Sequence, residues 1–376
     1  MGKKDQQTGV VSIFAVIFSA LIMSILTVSF IRLMVVDQKQ ASDNDLSQSA
    51  YDAALAGVED AKRVLRASQL GNSTAIDAVN NHHNKCDMIQ RSGVAGVVGE
   101  PEVIVKSSST TGAQFDQAYT CVKLDRETPD LLYKMDKDKS RVVPLWSKDT
   151  FNRIVIEWYK RDDESNPAQA DATPVGHGDS LPAESQWGVN TPPLMRAQLI
   201  NPGSTISSLD QFDTTGLALF LRPNVVNIPP VSYPEINTIG NFPRATGGGE
   251  YNNHQQSVTC SKRFVPGGYS CRAIIKVSDI TVAASKNTYL RLNMLYKGGS
   301  VRISLLNSIG NVVKFDGVQP AVDSTGRAAN IFRRVEARLE MGSDFNYPDN
   351  AVELNNNLCK DFSVSESSYI PGSCQP

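Results

Sequence analysis

Residues 10–31 read VVSIFAVIFSALIMSILTVSFI, an uncharged run of 22 residues. A helix needs roughly 20 apolar residues to cross the hydrocarbon core of a bilayer, and this run meets that length. Lys3 and Lys4 precede it and Arg32 closes it; lysines on that side favour an N-terminus that stays in the cytoplasm. A cleaved secretory signal has an apolar stretch of only about 7 to 15 residues followed by a small-x-small site. Here no Ala-x-Ala follows, and Arg32, Leu33, Met34, Val35 and Val36 continue without a break. The segment is therefore expected to remain in the mature protein.

From Asp37 to Gln69 there is no proline and one glycine, Gly57. Leu46, Ala50, Ala53, Ala54, Gly57, Val58, Ala61, Val64 and Leu65 recur at spacings of three and four, which makes one stripe along a helix. Asp43, Asp45, Gln48, Asp52, Glu59, Lys62, Arg63 and Arg66 largely fill the other side. Alanine dominates the stripe, so whatever packs there can approach the backbone closely. The two runs predict one continuous helix over 10–72, membrane-spanning over 10–31, whose roughly 58 fully helical residues would span about 85 to 90 Å at about 1.5 Å per residue. Leu70-Gly71-Asn72 suits its C-terminal end.

The full chain of 376 residues is 41% hydrophobic and 20% charged, with a formal net charge of -2. That balance argues against nucleic acid as a partner, which usually demands a basic excess. Lys137-Asp138-Lys139 and Arg333-Arg334 are short and diluted by acids, and read as solvated surface. The six cysteines, Cys86, Cys121, Cys260, Cys271, Cys359 and Cys374, all lie outside the apolar run. Their order suggests pairing in sequence, although six cysteines allow about fifteen arrangements. No CxxC occurs, and His82, His83, His177 and His254 lack ligand spacing to a cysteine pair, so disulfides outside the cytoplasm are preferred over a metal site.

Beyond residue 72 short apolar alternations replace the helical stripe. Candidate strands are 102–105, 118–124, 153–159, 217–222, 272–277, 288–295, 300–306, 311–318 and 333–340, with hairpin turns expected at Lys297-Gly298-Gly299 and Ser308-Ile309-Gly310-Asn311. The fold class expected is α+β: the long helix packed on a β-rich, sandwich-like exported region. Residues 162–190 are polar and read as an insertion or linker between a first lobe, 73–161, and a second, 191–376; one sandwich with a long insertion fits nearly as well. A bridge between Cys260 and Cys271 would clamp a hairpin loop.

Catalytic constellations are weak. Gly176-His177-Gly178-Asp179-Ser180 holds triad residue types, but a triad is a matter of spatial geometry, and the segment lies in the least anchored part of the chain. His82-His83-Asn84-Lys85-Cys86 has adjacent histidines, which do not normally point at one ion. Asp136-Lys137-Asp138-Lys139 and Asp43-Asn44-Asp45 lack the glycine and glutamate of an EF-hand loop. No phosphate-cradling glycine motif is present. The reading is of a non-enzyme with no cofactor and no metal site.

The N-terminus, MGKKDQQTG followed directly by VVSIF, resembles the class III signal of type IV pilins and type II secretion pseudopilins. The resemblance implies a leader over 1–9 that a prepilin peptidase cuts on the cytoplasmic side, with Gly9 as last leader residue and Val10 as first mature residue. The fifth mature position, usually glutamate in that family, is Phe14. The family's carboxylate pairs with a neighbour's N-terminal amine during filament growth; its absence resembles minor components assigned to the filament tip. SQSAYDAALAGVEDAKRVL, 47–65, is similar to a stretch of PilX-like minor pilins through Ala50, Ala53, Ala54, Leu55, Gly57, Glu59 and Ala61. Cys359 and Cys374 would close a loop resembling the disulfide-bounded C-terminal region of many pilins. The resemblance implies other pilin subunits, the peptidase and the cytoplasmic membrane as partners. It places the chain in that membrane before assembly and in an extracellular pilus after it. An exported binding domain on an uncleaved anchor, and a secretion pseudopilin, are the alternatives.

Overall fold

A computed structural model describes residues 8–105, 116–163, 184–201, 217–226, 233–238, 255–262 and 268–340. Helix α1 spans Thr8–Gln69, 62 residues without a break, about 93 Å at 1.5 Å per residue. Its end is set by Gly71, whose φ of 86° lies in the left-handed region that glycine adopts without a Cβ clash. Asn72 belongs to the next helix: its Oδ1 accepts from the Ala75 N–H at 3.0 Å and caps α2, Ser73–Asn81. A short α3, Met88–Ser92, follows.

The chain forms two compact units, Met1–Leu124 with Val322–Ala337, and Asp125–Ala321 with Arg338–Pro376. The boundary thus runs elsewhere than through residues 162–190. The strand before that segment, β5 (Phe151–Lys160), and the strand after it, β6 (Leu194–Ile200), belong to one hydrogen-bonded sheet.

In the first unit, β1 (Val103–Ile104), β2 (Gln117–Asp125), β14 (Ala321–Ala328) and β15 (Ile331–Arg338) make a four-stranded sheet in that order. β2 and β14 are therefore bonded neighbours although the second unit's residues separate them in sequence. Cys86–Cys121 ties the segment after α2 to β2. Arg327 on β14 grips Glu102 with two bonds of 2.7 and 3.0 Å and Asp116 with one of 2.8 Å. These bonds hold the guanidinium above its ordinary range and the Asp116 carboxyl below its own.

The described strands of the second unit make an eleven-stranded, nearly closed, barrel-like sheet. The remaining strands are β3 (Asp130–Met135), β4 (Ser140–Pro144), β7 (Leu217–Val226), β8 (Glu235–Asn237), β9 (Gln255–Ser261), β10 (Tyr269–Ile280), β11 (Tyr289–Leu295), β12 (Gly299–Leu306) and β13 (Val312–Val313). The path runs β13-β12-β5-β10-β9-β7-β6-β11-β4, with β3 on β12 and β8 on β10. β3 and β4, at opposite ends of it, are consecutive in the chain and joined through residues 136–139, which draws the sheet round. Phe151, Ile154, Ile156, Trp158, Leu292, Met294, Val301, Ile303 and Leu305 fill the core. Helix α4, Val282–Ser285, is a single turn beside it.

The turn expected at residues 308–311 lies between β12 and β13, which pair antiparallel through Leu306 and Val312. The hairpin expected at Lys297-Gly298-Gly299 is not one: β11 pairs with β6 and β4, and β12 with β5, β3 and β13. Glycine stands there because a Cβ on Gly298 would lie 2.5 Å from the Met135 carbonyl oxygen. Cys260 and Cys271 are cross-strand partners on β9 and β10 and are disulfide-bonded. Cys359 and Cys374 lie outside the described residues.

Candidate assembly surface on the N-terminal helix

Two halves of α1 differ in what they touch. From Ile13 to Asp45 every residue is exposed. Its apolar part contains an 18-residue window of mean hydropathy 2.5, none of it buried in the protein. Phe14, Phe18, Met23, Phe30 and Met34 are each between 65% and 69% exposed. By length and composition this half is apolar enough to cross a membrane. The hydroxyls in the run are satisfied locally, since Ser24, Thr27 and Ser29 donate to the carbonyls of Ala20, Met23 and Ile25 at 2.7 to 2.8 Å. Gly9 and Val10 lie in the helix's first turn. Phe14 puts an exposed ring, not a carboxylate, near that end, and the first acid after Val10 is Asp37.

The second half docks on its own sheet. Ala50, Ala53, Ala54, Ala61 and Val64 are fully buried, with Val58 and Leu65 nearly so. A Cβ on Gly326 of β14 would sit 2.2 Å from both the Ala50 oxygen and the Ala54 nitrogen. A Cβ on Gly57 would meet Ser324 Oγ at 2.4 Å and Val122 Cγ2 at 2.9 Å. Helix and sheet meet backbone to backbone, which is why the stripe is built of alanine and glycine. Two polar ties fix the register: Tyr119 Oη donates to Asp60 Oδ2 at 2.7 Å, and Arg333 Nε donates to Ser47 Oγ at 2.7 Å. Burial, then the bond to Asp60, pushes the Tyr119 phenol up from its ordinary range.

The stretch 47–65 is thereby divided. Ala50, Ala53, Ala54, Gly57 and Ala61 face inward, whereas Leu55 and Glu59 face out, in line with Tyr51. Sequence reading missed the partner of the stripe, Gly326 with Ser324; a glycine in a strand was the available signal.

The other expected sites are dispersed. His82 pairs with Asp77 at 3.5 Å, and the His83 carbonyl accepts from the Leu124 N–H. Lys137 pairs with Glu184. Among the described residues no group of three or more His, Cys, Asp or Glu side chains could hold a metal ion. Residues 176–180 lie outside the described set. No protein-family model, no curated protein and no solved structure matches this chain.

Proposed function

We propose that this chain is a minor pilin-like structural subunit of a type IV pilus, at or near the filament tip. The observation that carries the reading is the split character of α1: a bare apolar half fused in phase to a half locked on its own sheet. A membrane anchor alone needs no continuation of that kind. A rod that is stored in lipid and later drawn among other subunits' rods needs both a greasy surface and a rigid link to its cargo. Phe14 supports the tip, because a subunit with no carboxylate at that level has nothing with which to receive a neighbour's amine from above. The size of the inserted second unit agrees with a position not repeated along a packed shaft. That unit would face outward for assembly priming or adhesion.

The test is the mature N-terminus. Mass spectrometry of the membrane fraction should find a chain beginning at Val10 and carrying an N-methyl group. An intact start at Met1 or Gly2 would favour an exported binding domain on an uncleaved anchor instead. Immunogold labelling of sheared filaments should place the protein at ends; labelling along shafts, or none, refutes the tip assignment.

A further inference from the structure

One end of the barrel-like sheet carries features that packing does not account for. Tyr159, closing β5, and Tyr296, following β11, have φ of 67° and 72°, in the left-handed region that bulky side chains avoid. Trp187 stacks on Tyr296 with ring centroids 4.6 Å apart and planes 23° apart. Lys297 donates to Tyr159 Oη and to the Val189 carbonyl, both at 2.8 Å, joining these segments. Asn190 is 2% exposed, yet both its Oδ1 and its Nδ2 are buried without a hydrogen-bond partner. The Trp187 Nε1–H is buried and unpartnered as well. Closed, unpaired polar atoms are costly, and three from two neighbouring residues mark a place awaiting a complement.

The chemistry of that complement follows from the groups present. An amide offers a donor and an acceptor side by side, and the indole adds a second donor. Aromatic rings beside them present apolar faces. The charged groups are already engaged, Lys297 as above and Glu184 with Lys137, so no ion is called for. A ligand with alternating hydroxyls on a ring whose C–H face is apolar matches this set. We propose that Trp187, Asn190 and Tyr296 form a binding site for a neutral saccharide. The Thr191 N–H bonds the Gly188 carbonyl at 3.0 Å, in the turn that links the indole of Trp187 to the amide of Asn190. The site lies wholly in the second unit and is independent of whether α1 enters a filament.

Saturation-transfer NMR on the full chain, in a detergent without a sugar headgroup, tests it with mannose, galactose, N-acetylglucosamine and N-acetylgalactosamine as probes. Transfer to at least one is expected, with affinity weakened about tenfold or more by Trp187→Ala and by Asn190→Leu, as for loss of a buried hydrogen bond. Trp146→Phe should leave binding unchanged. Should Asn190→Leu fail to fold, Trp187→Phe keeps a ring, loses the N–H and is expected to weaken binding about threefold or more. No transfer to any of the four sugars, or affinity equal to that of the unaltered chain in both Trp187 variants, overturns the proposal.

Discussion

Replacing Gly326 by alanine tests the contact that joins α1 to its sheet. The new methyl would lie 2.2 Å from the Ala50 oxygen, 2.2 Å from the Ala54 nitrogen and 2.8 Å from the Ala53 carbonyl carbon. All three are helix backbone, which cannot rotate aside as a side chain would. Reaching ordinary contact at 3.4 Å requires β14 to retreat by about 1.2 Å. A gap of about 0.5 to 1 Å already forfeits a quarter to a half of each contact's dispersion energy, and the losses fall on Ala50, Ala53 and Ala54 together. Added to the usual overpacking cost of about 1 to 3 kcal/mol, the expected destabilisation is about 3 to 4 kcal/mol, a large share of a domain's typical 5 to 15. Hydrogen exchange on the detergent-solubilised full chain should show amides of 47–65 and 321–328 exchanging about a hundredfold faster or more. Ser324→Ala, on the same buried face, is the control: its Oγ has no hydrogen-bond partner, so losing it should be neutral or mildly stabilising. Unchanged protection in Gly326→Ala, or equal loss in the control, would refute backbone-to-backbone docking.

Deleting residues 1–36 should give a soluble chain whose melting midpoint is unchanged within a few degrees, because residues 13–36 bury nothing in the protein; a collapse in thermal stability would contradict the exposure of that half. Opening Cys86–Cys121 by the paired change to alanine should cost about 3 to 4 kcal/mol, from the loop entropy of a separation of 35 residues, measured by urea unfolding. In alkali, Tyr269 is held neutral chiefly by burial and titrates at about 12 instead of 10. A raised folded-state value means its stabilising contribution is whole below pH 10 and is lost as pH rises through about 12. Phenolate absorbance should therefore rise in step with unfolding across that window, and Tyr269→Phe should soften the loss; full titration with the fold intact near pH 10 would count against it. Tyr119→Phe, which abolishes the bond to Asp60, should loosen the helix register by about 1.5 to 3 kcal/mol, as for hydrogen bonds to charged groups, read by exchange of α1 amides.

The helix was legible because its signals agree: an uncharged run, then a stripe with no proline, then Gly71. α2 escaped notice because its only strong mark is Asn72, which reads equally well as the end of one helix or the start of the next. The strands with apolar alternation, such as those in TYLRLNML and VRISLL, stood out as well. β14, AVDSTGRA, did not, for a physical reason: its inward residues are Val322, Ser324, Gly326 and Ala328. Facing a helix backbone at contact distance they must be small, so the pattern that betrays a half-buried strand is erased where packing is tightest. The division into units was hidden for another reason. Sequence composition marks where a chain is polar, at 162–190, but not where it leaves one sheet to build another between two adjacent strands. The Trp187–Asn190 cluster carries no spacing motif; it became visible only as unpaired atoms in a folded chain.

Because the second unit takes in 125–321 and then 338–376, the polypeptide passes between the two units three times. Cutting the backbone once within 125–321 leaves both fragments rooted, one at Leu124 and one at Val322. A protease that nicks an exposed stretch of this insert cannot shear it away, and a tug on any load it carries divides between two covalent stems. Substitutions on the surface of such an insert leave untouched the residues that hold α1 to its sheet.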